Sequence, residues 1–254
     1  MDNQAFEREL PKGYRLAKTI DGTDLKFGLI FNGIALVVWL LVTALFLPLL
    51  YLVAGDSIAE SEGTVASLLS GVVIGFLPFI AYIVCHELVH GWAYKRKTGE
   101  KLTFGISWSC AFCGVPGIYT YRSTALFALL SPLVFFSALF LLLIAACLVV
   151  AGGVGVGGIG VVCAVYSALV FIFGMHLGGC SGDAYVTLLL WTKFKDERTL
   201  IRDTGPVQYI YVPEGEPAEN GTEGAVVACD AGTAEGDGEY PKTEGEDADK
   251  DASE

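Results

Sequence analysis

The sequence predicts a mainly α-helical protein that crosses a membrane about four times. Of its 254 residues, 53% are hydrophobic and only 17% are charged, whereas a soluble domain has about 25% charged residues. Four long apolar segments carry most of the hydrophobic residues, and the charged residues lie almost entirely between them. This segregation is typical of an integral membrane bundle.

The four apolar segments are each long enough to cross a bilayer about 30 Å thick, which requires about 20 helical residues. They cover approximately residues 27–54, 68–94, 124–151 and 156–179. We therefore predict a cytoplasmic N-terminal segment over residues 1–26, a membrane domain over residues 27–213 and a C-terminal tail over residues 214–254.

The basic residues between the spans predict the orientation. Five lysines and arginines precede the first span, five lie between the second and third spans, and four follow the fourth span. The other two loops have none. Because short cytoplasmic loops are enriched in lysine and arginine, we expect a multi-pass protein of the cell membrane with both termini cytoplasmic. Spans two and four then run in the same direction, and their C-terminal ends lie at the same cytoplasmic depth.

Two polar stretches predict structure outside the spans. Between the second and third spans, "KLTFGISWSC" and "GIYTYR" flank a "CGVPG" break, which predicts a small β-hairpin. After the fourth span, "GDAYVTLLLWTKF" predicts an amphipathic helix, and "TLIRDTGPVQYIYVP" predicts a turn and a short strand. Cys110 and Cys113 form a CxxC pair, which can be redox-active or metal-binding but has no second pair.

The net charge of −12 comes entirely from the tail. Residues 1–213 contain 14 basic and 14 acidic residues, whereas residues 214–254 contain 14 acidic residues and two lysines. The tail is also rich in glycine and alanine, so we expect it to be disordered and, in the simplest interpretation, solubilising. No basic patch with interleaved aromatic residues occurs, which argues against nucleic-acid binding.

The segment "HELVH" near the end of the second span has the H-E-x-x-H pattern. On a helix, His86 and His90 project from one face, one turn apart, and can bind the same Zn²⁺ ion. Glu87 can then act as a general base towards a water molecule. The simpler alternative is a pair of interfacial histidines with a glutamate that extends to the headgroups. Because ionisable groups in a span are costly and usually functional, we favour the metal site.

A catalytic zinc site with two histidines needs one more protein ligand. "GMHLGGCSGDAY", at the end of the fourth span, offers His176 and Asp183 at the predicted depth of the histidine pair. On a straight helix these two residues are about 10.5 Å apart, too far for both to bind one ion. We favour Asp183 as the ligand and His176 as an orienting or oxyanion-stabilising catalytic group. The reverse assignment stays open, as does Asp183 as the N-cap of the next helix.

Several motifs together resemble an uncharacterised prokaryotic membrane family of zincin peptidases: "HELVHGWAYK", "YTYR", "SPLVFF", "HLGGCSGDAY" and "RDTG" followed by "YIYVP". The resemblance covers residues 68–213. The order of the motifs is also similar to that of site-2 proteases, which implies His86, His90 and Asp183 as metal ligands and Glu87 as the base. The sequence differs from site-2 proteases in that its acid follows a glycine and not the Asn/Pro/Asp-Gly motif of those enzymes.

These observations lead us to expect an integral-membrane zinc metallopeptidase that hydrolyses peptide bonds in or near the bilayer at its cytoplasmic side. Its partners would be membrane lipid and a membrane-protein or peptide substrate. The alternative is a non-catalytic membrane protein with a closed four-ligand site made of His86, His90, His176 and Asp183. A small transporter is a weaker alternative, because the polar groups occur at one end of the spans only.

Overall fold

A computed structural model describes residues 4–215, and the predicted acidic tail therefore lies almost wholly outside the described residues. The helices are α1 (Leu25–Glu60), α2 (Thr64–Thr98), α3 (Arg122–Gly153), α4 (Val156–Gly179) and α5 (Ser181–Thr192). Four helical segments, the last formed by α4 and α5 together, are long and apolar enough to cross a membrane. The predicted four-span helical fold is confirmed.

The ends of α1 and α2 follow from local sequence. Asp24 caps α1, because its side chain accepts a hydrogen bond from the backbone N–H of Phe27 at 2.9 Å. Gly99 ends α2 in the left-handed conformation, with a φ of 71° that favours glycine. Both helices extend several residues beyond the apolar segments that predict them.

Helix α4 lies at the centre of the bundle, and small residues let its neighbours approach closely. A Cβ atom on Gly71 of α2 would lie 2.1 Å from the carbonyl oxygen of Ala164, and one on Gly178 of α4 would lie 2.7 Å from that of Ala35 on α1. Such small residues are common where membrane helices pack. Close contact therefore places α1 and α2 along α4 without intervening side chains.

Helices α2 and α4 run in the same direction. Gly71 lies against Ser167, and Tyr82, eleven residues later in α2, contacts His176, nine residues later in α4. The C-terminal ends of α2 and α4 are therefore at the same end of the bundle. This is the arrangement that the loop charges predict, and it brings the "HELVH" segment level with the α4–α5 junction.

The β-structure forms two antiparallel sheets on one side of the helices. Strands β3 (Thr103–Ile106) and β4 (Ala111–Gly114) form a hairpin. The other sheet has the order β1-β5-β6-β7-β2. Its strands are β1 (Phe6–Glu7), β2 (Tyr14–Asp21), β5 (Tyr119–Tyr121), β6 (Leu200–Asp203) and β7 (Val207–Pro213).

The hairpin between α2 and α3 is confirmed, but its turn is not at "CGVPG". The chain reverses at Ser107, whose N–H donates to the carbonyl of Cys110 at 2.7 Å. Residues of "CGVPG" instead lead out of the hairpin, where the N–H of Val115 donates to the carbonyl of Asp203 at 2.8 Å. Strand β5 is therefore not part of the hairpin. It joins the larger sheet, where it pairs with β1 and β6 from distant parts of the chain.

The larger sheet joins three segments that the sequence treats separately. Strands β1 and β2 precede α1, β5 lies between α2 and α3, and β6 and β7 follow α5. The single strand predicted after the amphipathic helix is therefore a pair, β6 and β7. The three basic segments of the sequence lie on one side of the bundle. That this side is cytoplasmic stays a prediction.

Candidate metal centre

Three predicted ligands meet between α2 and the α4–α5 junction. The Oδ2 atom of Asp183 lies 3.6 Å from Nε2 of His86 and 3.3 Å from Nε2 of His90. One ligand atom from each residue lies within 4.8 Å of the others, and both histidines are buried. Ligand atoms about 2.0–2.2 Å from a tetrahedral zinc ion are about 3.3–3.6 Å apart. The donor set and its spacing therefore fit zinc.

Helix α3 orients the second histidine. Nδ1 of His90 lies 2.9 Å from the carbonyl oxygen of Ala128 and donates its hydrogen to it. This carbonyl is available because the residue four positions later is Pro132, which has no N–H to complete the helical hydrogen bond. With its proton on Nδ1, His90 keeps the lone pair of Nε2 for a metal.

The first histidine is held by a chain of hydrogen bonds within the bundle. The hydroxyl of Tyr82 lies 2.8 Å from Nδ1 of His86 and 2.7 Å from Nδ1 of His176. Nε2 of His176 lies 3.1 Å from the hydroxyl of Ser137. If His86 donates to Tyr82, Tyr82 to His176 and His176 to Ser137, then Nδ1 of His86, the Tyr82 hydroxyl and both ring nitrogens of His176 all have a partner. The lone pair on Nε2 of His86 then faces Asp183.

His176 is therefore separated from the group that contains Asp183. Its side chain is completely buried, and both ring nitrogens have partners within the protein. The contacts fit the predicted orienting role, exerted through Tyr82, and provide no path by which His176 reaches a substrate as an oxyanion stabiliser. The structure also does not assemble the four-ligand site of the non-catalytic alternative.

A second group, formed by His86, His176 and Cys180, also has its ligand atoms within 4.8 Å of one another. The thiol of Cys180 lies 3.6 Å from Nδ1 of His176. The Tyr82 hydroxyl bonds both histidine Nδ1 atoms of this group. The group is thus a hydrogen-bonded cluster in which the Tyr82 hydroxyl oxygen occupies the position between the two histidines that a metal ion would need.

The break between α4 and α5 is only one residue long. Cys180 has φ and ψ angles of −71° and 0°, and its N–H still bonds to the carbonyl of His176. The chain therefore continues from α4 into α5 almost without interruption, and the glycines on either side of Cys180 do not unwind it. Asp183 lies in the first turn of α5, and the cap position is Cys180, so Asp183 is not an N-cap.

Glu87 lines a cavity of about 480 Å³ next to the histidine pair. Its side chain is half-buried, and within residues 4–215 it has no hydrogen-bond or ion-pair partner. The hairpin β3–β4 covers this cavity. The indole N–H of Trp108 donates to the carbonyl of Thr23 at 3.1 Å, and the hydroxyl of Ser109 donates to that of Gly22 at 2.7 Å. A carboxylate without a partner in a covered cavity is available for proton transfer.

The cavity wall includes a buried pair that the sequence did not predict. The hydroxyl of Tyr94 donates to Oδ2 of Asp203 at 2.7 Å, and the N–H of Gly205 donates to Oδ1 at 2.9 Å. Burial raises the pKa of Asp203 from 3.8 to about 6, although these hydrogen bonds act in the opposite direction. The spacing offered a signal, because Tyr94 follows His90 by one helical turn and shares its face.

The CxxC pair has no metal-binding partners in the described part of the chain. Cys110 is exposed and Cys113 is buried, and both thiols are free. Burial raises the pKa of Cys113 to about 12, which leaves the thiol protonated and unreactive at neutral pH. The two cysteines belong to the hairpin and line the cavity.

These features define a class: a helical protein with four segments long and apolar enough to cross a membrane, in which two imidazoles and a carboxylate lie beside a glutamate that has no partner among residues 4–215. Residues 79–197 match the family model described as "Putative zincin peptidase". The matched region contains all five predicted site residues, and the resemblance proposed from the sequence is confirmed. The match supports a metallopeptidase-like role. Neither a curated protein nor a solved structure matches the chain.

Proposed function

We propose that this protein is an integral-membrane zinc metallopeptidase that hydrolyses peptide bonds in or near the membrane, at its cytoplasmic side. The observation that carries the proposal is the convergence of His86, His90 and Asp183 at the cavity that Glu87 lines. A purely structural metal site has no need of an unpaired carboxylate beside it. The family match over residues 79–197 supports the same activity class.

The two histidines and Asp183 would hold the zinc ion, with the Nε2 atoms as imidazole ligands. Zinc, when bound, acts as a Lewis acid that lowers the pKa of water and polarises a carbonyl group. Glu87 accepts the proton of the attacking water and returns it to the leaving amine. The carbonyl of Ala128 orients the ring of His90, and the hydroxyl of Tyr82 orients the ring of His86. His176 holds the Tyr82 hydroxyl in place through a second hydrogen bond.

The cavity also has features that suit a peptide. Strand β4 lines it and, among the described residues, pairs only with β3. In an antiparallel hairpin, alternate residues of an edge strand direct their N–H and C=O groups away from the partner strand. An unwound substrate can add to this edge as a further strand, which exposes its peptide bonds to the site.

The Glu87→Gln variant tests the proposal. Glutamine keeps the size of the side chain but cannot accept the proton, so we expect loss of cleavage with zinc still bound at one ion per chain. Mass spectrometry of new peptide termini in membranes that contain either the wild-type or the variant protein measures cleavage. Glu60→Gln, which changes a carboxylate at the far end of α1, is the matched control. The same set of new termini with Glu87→Gln as with wild type would favour the non-catalytic alternative.

A further inference from the structure

Asn32 is the only amide side chain in helix α1 and lies in its apolar part. A polar group at membrane depth is costly and usually functional. Its Nδ2 atom donates to the carbonyl of Gly28 at 2.8 Å. Within residues 4–215 the side chain makes no other hydrogen bond, so its carbonyl oxygen and its second N–H are available. The side chain is exposed and lines the same cavity as His86 and Glu87.

The cavity lies between α1 and α2, which both pack on α4 and barely contact each other. Ala35 of α1 lies against Gly178, and Tyr82 of α2 contacts His176. Asn32 and Gly179 are both exposed at this gap, even though Gly179 belongs to the central helix. The cavity is consequently open between the two helices, next to the exposed apolar side chains of α1.

We propose that Asn32 binds the backbone of an extended substrate segment where it enters the cavity between α1 and α2. An amide side chain presents one acceptor and one free donor, which complement the N–H and C=O groups of a peptide bond. A helical segment has already used these groups internally, whereas an unwound segment leaves them free. Strand β4 offers backbone groups of the same kind on the cavity wall. The Asn32 amide and the edge of strand β4 both bind free backbone groups. Together they therefore favour a membrane segment in which the helix is interrupted.

This inference rests on the proposed function but is tested without catalysis. The full-length Glu87→Gln protein, loaded with zinc, is reconstituted in phosphatidylcholine vesicles with a synthetic transmembrane peptide. The peptide consists of leucine and alanine with a central Gly-Asn-Pro-Gly segment and a benzophenone photo-cross-linker beside it. The yield of adduct is measured against peptide density, and mass spectrometry locates the adduct on the protein.

We expect adducts at cavity residues, and we expect Asn32→Leu to weaken binding about tenfold through loss of its hydrogen bonds in a low-dielectric site. Leucine suits a membrane helix, and a retained zinc content of one ion per chain shows that the variant is folded. Asn32→Ala should behave like Asn32→Leu. Thr43→Val, which removes a polar group from the same helix away from the cavity, should bind like the parent protein.

Three outcomes would overturn the inference: equal binding by Asn32→Leu and the parent protein, equal labelling by an uninterrupted leucine–alanine peptide, or no cavity adduct with any peptide. None of these outcomes would affect the peptidase proposal, because that proposal is decided by the appearance of new peptide termini with active Glu87. Conversely, if wild type and Glu87→Gln gave the same new termini, the peptidase proposal would fail, but the measured peptide binding would be unchanged.

Discussion

Replacing Pro132 should weaken metal binding, although this residue is in α3 and is not a ligand. Because proline has no N–H, the carbonyl of Ala128 is free to accept the Nδ1 hydrogen of His90 at 2.9 Å. In Pro132→Ala, a new backbone N–H competes for the same carbonyl. Loss of such an orienting hydrogen bond typically lowers metal affinity 10–100-fold. Since a carbonyl oxygen can accept two hydrogen bonds, we expect the lower end, about tenfold or about 1.4 kcal/mol.

The assay is a zinc titration of the purified, metal-free protein against a fluorescent chelator in detergent. Pro48→Ala is the matched control, because it makes the same change within α1. Circular dichroism should show unchanged or slightly higher helix content for Pro132→Ala, since α3 can gain one hydrogen bond. If Pro132→Ala binds zinc as tightly as wild type, or if Pro48→Ala loses affinity equally, the freed carbonyl does not orient the histidine.

Three further predictions concern the hydrogen-bond chain, the cavity wall and the packing of α4. Tyr82→Phe removes the hydroxyl that bridges two histidines, so zinc affinity in the same titration should fall about tenfold, and an unchanged affinity would contradict the chain. Burial raises the pKa of Asp203 from 3.8 to about 6. As the pH falls through 6, the folded protein therefore binds a proton at Asp203 that the unfolded chain does not yet bind, and this proton uptake stabilises the folded state. Between pH 8 and pH 5 the melting temperature of wild type should therefore rise relative to that of Asp203→Asn, and parallel curves would contradict this. Gly71→Ala should destabilise the protein by about 1–3 kcal/mol, because the new Cβ would lie 2.1 Å from the α4 backbone; Gly33→Ala, with nothing within 4 Å, should not.

Much of the fold could be predicted because its signals are local. Apolar segments long enough to span a bilayer identified four helices, and the charges of the loops identified the parallel course of α2 and α4. The "HELVH" spacing placed two imidazoles on one face for the same reason. Each of these signals is carried by a single segment or loop, and none depends on which distant segments contact each other.

The larger sheet could not be predicted, because its pairings join segments that are far apart in the sequence. Strand β2 pairs with β7 along its length, with Arg15 opposite Val212, and no local pattern specifies that partner. The turn of the hairpin was misplaced for a related reason. Gly114 packs closely against Gly205, because a Cβ atom on Gly114 would lie 2.3 Å from the backbone nitrogen of Gly205. The conformation of "CGVPG" therefore depends on contact with the β6–β7 turn.

The division of roles between His176 and Asp183 also needed the structure. The two are seven residues apart, and the sequence could show only that both cannot reach one ion from a straight helix. Tyr82 separates them by bonding to His176 on one side and His86 on the other. In the sequence, Tyr82 is one of several aromatic residues in an apolar span and belongs to no motif, so its part in the site was not evident.

The central claim is that His86, His90 and Asp183 hold one zinc ion together. X-ray absorption at the zinc edge of the purified protein tests it most directly. We predict one zinc per chain with only nitrogen and oxygen ligands at about 2.0–2.2 Å, two of them imidazoles, and loss of the ion in Asp183→Ala. A sulfur ligand at about 2.3 Å, as expected for Cys180, or zinc retained by Asp183→Ala, would contradict the account.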